Sequence, residues 1–452
     1  MSALTHLDQK ETDNLIKLQR LENEALSFTV KSLSRELEAA FKAHSTPDDI
    51  DITQVTHPYT NIYAASMMVS WLLGQAHVQN AITEAEDKPV ELTYAPIYLA
   101  VDDVPFQEAM DALKVMLPTD TKEYRQMEAA MKLRAFTVAN VSSIDAVNRV
   151  KKRYEDALES GAYRSETLGN IRQLLEQEGL SEANPYWLEL HYRNNMMTAY
   201  NSGRWTQIAN NDLVEFLVYS SVLDSGTTEL CRKLDGVIKP KDDPFWERFY
   251  PPNHHKCRAT VSVLSRKQYD ALPASMRRAS EQVSGKALDK DAITGKEHQF
   301  TSSPLVSMKT LPASMMQRAQ EYSLTQSILN YSLSQSQRVL NEQVQLVSKH
   351  VLSAATLNKA IKYSPELEPF REMIQEKLLS QPDAIWYGLD HMADGAWLPV
   401  LTYQLVLDDQ HSALALVAAF DEAIVLNIHF SRQSELDKRL ADHINMSDSR
   451  QK

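Results

Sequence analysis

Apolar side chains recur at steps of four and three residues through Leu26, Val30, Leu33, Leu37 and Phe41, with Lys, Arg and Glu between them. That spacing places one apolar stripe along a helix and predicts a long amphipathic helix over Asp8–His44, its stripe buried in the chain's own core. Ser45–Asn61 carries two prolines and several aspartates and reads as a loop. The apolar run from Ile62 predicts a second helix reaching about Glu86. Between Pro105 and Tyr200 the pattern predicts helix after helix. Ser142-Ser143 is placed to cap one helix, Gly161 to end it and Ser165 to start the next; Gly179 and Pro185 separate that one from the last.

The period changes at Val214–Val222 and again at Ala259–Leu264, where branched and aromatic residues predict two strands that pair around an irregular loop. Arg266–Ala313, rich in Ser, Pro and Lys, reads as a linker. Leu340, Val344, Val347 and Val351 predict another helix. Beyond Ser353, Pro365, Pro369 and Pro382 punctuate short helices, followed by strands over Leu398–Leu407, Ser412–Phe420 and Ala423–Phe430 and a helix over Ser434–His443. The expected class is a mainly α N-terminal and central region with a small β element at a Cys/His loop, then an α+β C-terminal domain. The expected divisions are residues 1–100, 101–265, 266–345 and 346–452.

Composition sharpens this. A chain of 452 residues exceeds what one core usually serves, and 43% hydrophobic with 24% charged residues is ordinary for folded protein. Eleven glycines, none before Gly74 and none between Gly295 and Gly388, favour helix. A net charge of −13 without a basic block argues against a general nucleic-acid surface. The apolar run Ile62–Leu73 is too short for the roughly 20 residues of a membrane span, and no signal peptide is read before the polar first helix, so neither a membrane role nor secretion is expected.

Both cysteines fall in the irregular region, Cys231 after Asp224-Ser-Gly-Thr227 and Cys257 in Pro251-Pro252-Asn-His254-His-Lys-Cys257-Arg258. Cys231, His254 and Cys257 are soft ligands at a spacing that lets them meet at one zinc ion, with Asp224, Asp235 or His255 as a fourth. The competing reading makes the thiols small buried hydrophobes and His254 a hydrogen-bonding partner of a loop carbonyl. A disulfide is a third possibility, less suited to a reducing cytoplasm. Asp224 and Thr227 read as loop-closing groups, Pro252 as a stiffener, and Phe245, Trp246, Phe249 and Tyr250 as the small core under the loop.

The whole stretch resembles the signature of the Mu-F-like phage head morphogenesis proteins. Asp224, Thr227, Cys231, Pro252, His254, Cys257 and Arg258 carry the resemblance, while the family's final Cys is Ala259 here, one sulfur ligand fewer. The likeness spreads to Pro105-Phe-Gln-Glu-Ala, Leu133-Arg-Ala-Phe136-Thr-Val, Ala157-Leu-Glu-Ser-Gly161 and the run from Arg193 through Thr198, Tyr200 and Gly203 to Arg204. It implies a minor head protein of a phage or prophage that joins the head near the portal in the bacterial host cytoplasm. The implied partners are portal and other head proteins and further copies of itself; assistance in DNA delivery is implied as well.

More loosely, Ser353-Ala-Ala-Thr356-Leu-Asn-Lys359, Gln381-Pro-Asp-Ala-Ile385-Trp386 and Ile428-His429-Phe-Ser431 resemble nuclease-like domains of the barnase, EndoU, colicin and RelE type. Metal-free RNA cleavage needs a base, an acid and a cation near the phosphate. Lys359, His429 and Ser431 are the candidate catalytic residues, with Lys362, Arg432 and Arg439 as added positive charge. This alternative makes the chain a head-protein-fused nuclease effector acting on host RNA or DNA after injection, although an inactive retained fold is favoured.

Overall fold

A stripe that keeps its period over many turns needs no cap to be helical, and in the computed structural model the first helix, α1, runs Ala3–Ala43. Leu18, Val30, Leu33, Leu37 and Phe41 are all buried. The structure describes residues 3–44, 46–85, 122–181, 186–209, 211–284, 288, 310–391, 396–420 and 424–446. The chain divides into two units: described residues within Met1–Thr119 and Val138–Ser307 form the first, those within Asp120–Thr137 and Met308–Lys452 the second.

The second helix, α2, spans Ile52–Ala85, so most of the expected loop Ser45–Asn61 is helical. Asp51 accepts hydrogen bonds from the amides of Thr53 and Gln54 and so caps it. Pro58 lies inside and removes one backbone bond. Burial of Val55, Thr56, Tyr59 and Thr60 around it outweighs that loss.

The helix α3 runs Lys122–Glu159, straight through Ser142-Ser143. Those hydroxyls bond back to the carbonyls of Val138 and Asn140 and cap nothing. Gly161 does end it, at φ +93°. Short helices α4, Arg164–Gly169, and α5, Ile171–Gln177, follow, and Gly179 with φ +71° turns the chain out of the second. The last long helix of the unit, α6, covers Tyr186–Ala209. The lead-in at Pro105 lies outside the described residues.

Two glycines let α2 and α6 meet backbone to backbone. A Cβ on Gly74 would lie 2.0 Å from the Tyr200 carbonyl oxygen, and one on Gly203 would lie 1.9 Å from that of Trp71. The residues around this crossing form a polar latch. Tyr200 Oη meets His77 Nδ1 at 2.8 Å, Asn201 Nδ2 donates to the Ala259 carbonyl at 3.1 Å, and Thr260 Oγ1 donates to Asn201 Oδ1 at 2.8 Å. Arg204, fully buried, donates to Glu11 Oε1 at 2.6 Å and to the Val261 carbonyl at 2.5 Å. One arginine thus ties α1, α6 and a strand.

That strand is β3, Ala259–Leu264, which pairs antiparallel with β1, Phe216–Ser221, as the two branched runs predict. A third strand, β2 (Ile238–Pro240), extends the sheet to the order β2-β1-β3. Every residue of β1 and β3 is buried, because both faces are covered. Leu217, Tyr219, Val261 and Val263 face a core with Trp246, Phe249 and Tyr250, while Phe216, Val218 and Leu264 face Ile238 and Leu272. Between β1 and β2 sits α7, Glu229–Leu234, and between β2 and β3 sits α8, Phe245–Phe249. The stretch read as a linker holds α9, Arg266–Asp270, capped by Ser265 with Gln268, and α10, Ala274–Gln282. From 285 to 309 only the buried Leu288 lies within the described residues.

In the second unit a short β4, Leu311–Pro312, precedes α11, Ala313–Glu321, and α12, Thr325–Val347. The latter buries Leu340, Val344 and Val347 but stops before Val351, which is 78% exposed. Ser353 caps α13, Ala354–Tyr363, and a 3-10 turn over Pro365–Phe370 leads to α14, Arg371–Lys377. Strands β5 (Ala384–His391), β6 (Ala396–Asp408), β7 (His411–Ala418) and β8 (Val425–Arg432) form an antiparallel meander. Then come α15, Gln433–Arg439, and β9, Ile444–Asn445, which closes the far edge beside β5. The predicted strands correspond to β6, β7 and β8; the expected helix to His443 ends early.

Candidate functional site

The Asp224–Arg258 region is assembled by local polar bonds. Asp224 Oδ1 accepts from the Gly226 amide at 2.9 Å, and the Thr227 hydroxyl donates to the Val222 carbonyl. Arg258 forks onto both Asp224 oxygens at 2.6 Å each. That guanidinium, with the Gly226 amide and Thr227 adding to it, holds the Asp224 carboxyl well below the usual range. Arg232 donates to the Asp224 carbonyl at 2.5 Å. Asp224, Thr227 and Arg258 therefore tie the end of β1 to the start of β3.

Thr228 caps α7 by accepting from the Cys231 amide, which fixes Cys231 in the first turn. Across from it, Phe249, Trp246 and Tyr250 sink into the core. The Pro251-Pro252 bond is cis. Asn253 then donates to the Tyr219 hydroxyl at 2.9 Å and to the Phe249 carbonyl at 3.1 Å. Lys256 turns the chain with φ +56°, a conformation that costs a side-chain-bearing residue energy. Asn194 of α6 supports it: its Oδ1 accepts from the Lys256 amide, and its Nδ2 lies 2.7 Å from His255 Nδ1.

The result brings Cys231, His254 and Cys257 together, all buried, with their three ligand atoms within 4.8 Å of one another. Cys231 Sγ is 3.8 Å from Cys257 Sγ and 3.1 Å from His254 Nε2. Both cysteines are free thiols. The first cause lowering the Cys231 thiol is the hydrogen bond from Cys257; burial opposes it and His254 helps it. Cys257 moves the other way, pushed up by Cys231 and by burial.

The suggested fourth ligands are engaged elsewhere. Asp224 holds Arg258, Asp235 Oδ1 accepts from the Ser221 amide at 2.8 Å, and His255 faces Asn194. The Thr228 hydroxyl, 3.0 Å from His254 Nε2, is an oxygen at the cluster that the sequence did not single out. Tyr219, whose hydroxyl is 3.4 Å from Cys231 Sγ, is another. Beside the cluster a cleft of about 340 Å³ is lined by Leu15, Glu22, Arg193, Met197, Cys257 and Arg258. Burial in it pushes the Glu22 carboxyl up to about 8, against the pull of Arg193.

In the second unit, Lys359 is exposed on α13, while His429 is half-buried and Ser431 buried on β8. The helix and strand pack together. Ser431 Oγ bonds its neighbouring Arg432 carbonyl at 3.5 Å. Burial first, then Arg439, lowers His429.

Residues 148–262 match the family described as Phage Mu protein F like protein. The chain is 32% identical over 149 residues to the putative capsid assembly protein F of Escherichia phage Mu, covering 29% of this chain and 34% of that protein. It is 29% identical over 197 residues to the Mu-like prophage FluMu F protein of Haemophilus influenzae, covering 40% of this chain and 47% of that one. The chain thus spans less than half the length of either relative. No solved structure matches it. The matched span holds the Tyr200, Asn201 and Arg204 side of the polar latch, strands β1 and β2, the start of β3 and the Cys/His cluster, and over that span this chain is similar to the Mu-F-like family.

Proposed function

We propose that this chain is a minor head protein of a phage or prophage that takes part in head morphogenesis close to the portal. The observation that carries this reading is the correspondence between the family match and one braced structural element. Residues 148–262 include the loop closed by Asp224 and Arg258, the cluster beneath it and the helix α6 on which both rest. One relative sharing this region is named a capsid assembly protein.

Large exposed side chains in the same unit suit subunit contacts. Phe28 is 61% exposed, Tyr163 79% and Tyr186 64%, and aromatic anchors dominate binding energy at protein interfaces. The expected partners are portal and other head proteins. Purified heads from an induced lysogen should contain the chain, and its deletion should deplete assembled heads. Co-expressed portal protein should be retained by a tagged full chain and released by the Phe28→Ala, Tyr186→Ala double variant. Heads that assemble normally without the chain would end this reading.

A second reading, a nuclease effector, is favoured by one feature: the helix bearing Lys359 packs on the strand bearing His429, an imidazole shifted toward its neutral form by burial and Arg439. An imidazole on a strand packed against a lysine-bearing helix supplies residue types that metal-independent RNA cleavage uses. Incubating the full chain with RNA, beside Lys359→Ala and His429→Ala, tests it. Equal cleavage by all three would remove it.

A further inference from the structure

We propose that Cys231 Sγ, His254 Nε2 and Cys257 Sγ hold a single thiophilic divalent ion of the zinc class, which clamps α7 and the His254 turn to the start of β3. This goes beyond the head-assembly reading and stands or falls independently of it.

Three observations carry the assignment. The sulfurs are 3.8 Å apart, far too long for a disulfide near 2.05 Å. That distance is the edge of a tetrahedron with metal–sulfur bonds of about 2.3 Å. The imidazole is oriented for ligation: His254 Nδ1 lies 2.9 Å from the His255 carbonyl, which can only accept, so the neutral ring carries its proton there and turns Nε2 toward Cys231 Sγ. An N–H bonded to a backbone carbonyl is the usual support of a metal-bound histidine. Finally, the three ligands come from separate segments, each fixed by its own bonds: Cys231 by the Thr228 cap, His254 by the turn after Asn253, Cys257 by the strand it enters.

An ion balances the negative charge that two buried thiolates would otherwise leave uncompensated. The three protein ligands leave one vertex for an oxygen, with the Thr228 hydroxyl at hand.

The full chain, purified with reductant and without chelator, should carry about one zinc ion. After chelation, cobalt(II) added to the wild-type chain should produce the sulfur-to-metal charge-transfer band of a tetrahedral thiolate site, discharged by zinc. Zinc should slow reaction of both thiols with a disulfide reagent at least about tenfold. His254→Gln should weaken cobalt binding by at least about tenfold, and Cys257→Ser should abolish the band. The wild-type spectrum and thiol rates decide the matter even if a variant misfolds. Thiols equally reactive with and without zinc, together with no cobalt band, would overturn the proposal; so would a disulfide in protein isolated without oxygen.

Discussion

The two units hold themselves together in different ways. In the first, long-range contacts between elements are made by buried polar side chains that reach into other segments: Arg204 to Glu11 and Val261, Asn201 to Ala259 and Thr260, His77 to Tyr200. In the second, the order comes from the backbone ladder of a four-strand meander, and side chains such as Leu401, Leu414 and Val417 supply apolar filling. Polar contacts of the first kind specify one arrangement, because removing one partner leaves a buried group unsatisfied. Ladders are satisfied whatever the side chains are, so the second unit tolerates polar loss better and volume loss no better.

The sharpest way to break that contrast is Glu11→Ala. It leaves the Arg204 guanidinium buried without its carboxylate, and the first unit should lose about 3–5 kcal/mol. The double variant Glu11→Leu, Arg204→Met should recover most of this, read as the first unit's transition in thermal unfolding. Next in size is Gly203→Ala. Its Cβ meets backbone, and forced separation of α2 from α6 should cost about 1–3 kcal/mol or more.

A pH series sharpens the comparison further. Burial holds His77 at about 3 in the folded chain against 6.5 unfolded. A depressed histidine leaves the unfolded state binding more protons between those values, so stability falls as pH drops below about 6.5. The slope approaches about 1.4 kcal/mol per pH unit. His77→Gln should flatten the acid limb of the first unit alone. Smallest is Tyr387→Phe in the second unit. It deletes the hydroxyl that meets Ser332 and should cost about 1 kcal/mol.

Legibility in the sequence followed the range of the forces. The stripe from Leu26 to Phe41 encodes its helix in local period, and the Cys231, His254 and Cys257 spacing encodes a shared location. Features decided by distant packing left no local mark. Pro58 reads as a breaker, yet α2 passes through it because Tyr59 and Thr60 are buried against other helices. Ser142-Ser143 reads as a cap, yet in mid-helix the same hydroxyls find carbonyls one turn back. β2 is three residues long and too short to show alternation. Arg204 and Glu11, 193 positions apart, gave no sign of each other. Arg204 does stand in the run that resembles the family, but that likeness carried no sign of its burial or its partner.

The crossing at Gly74 and Gly203 has a consequence for how this domain can change over time. Each glycine abuts a main-chain oxygen of the opposite helix, and main chain is common to all twenty residue types. No substitution on one helix can therefore make room for a larger residue on the other. The two positions are not free to drift as a correlated pair, and any lineage that keeps this packing must retain both.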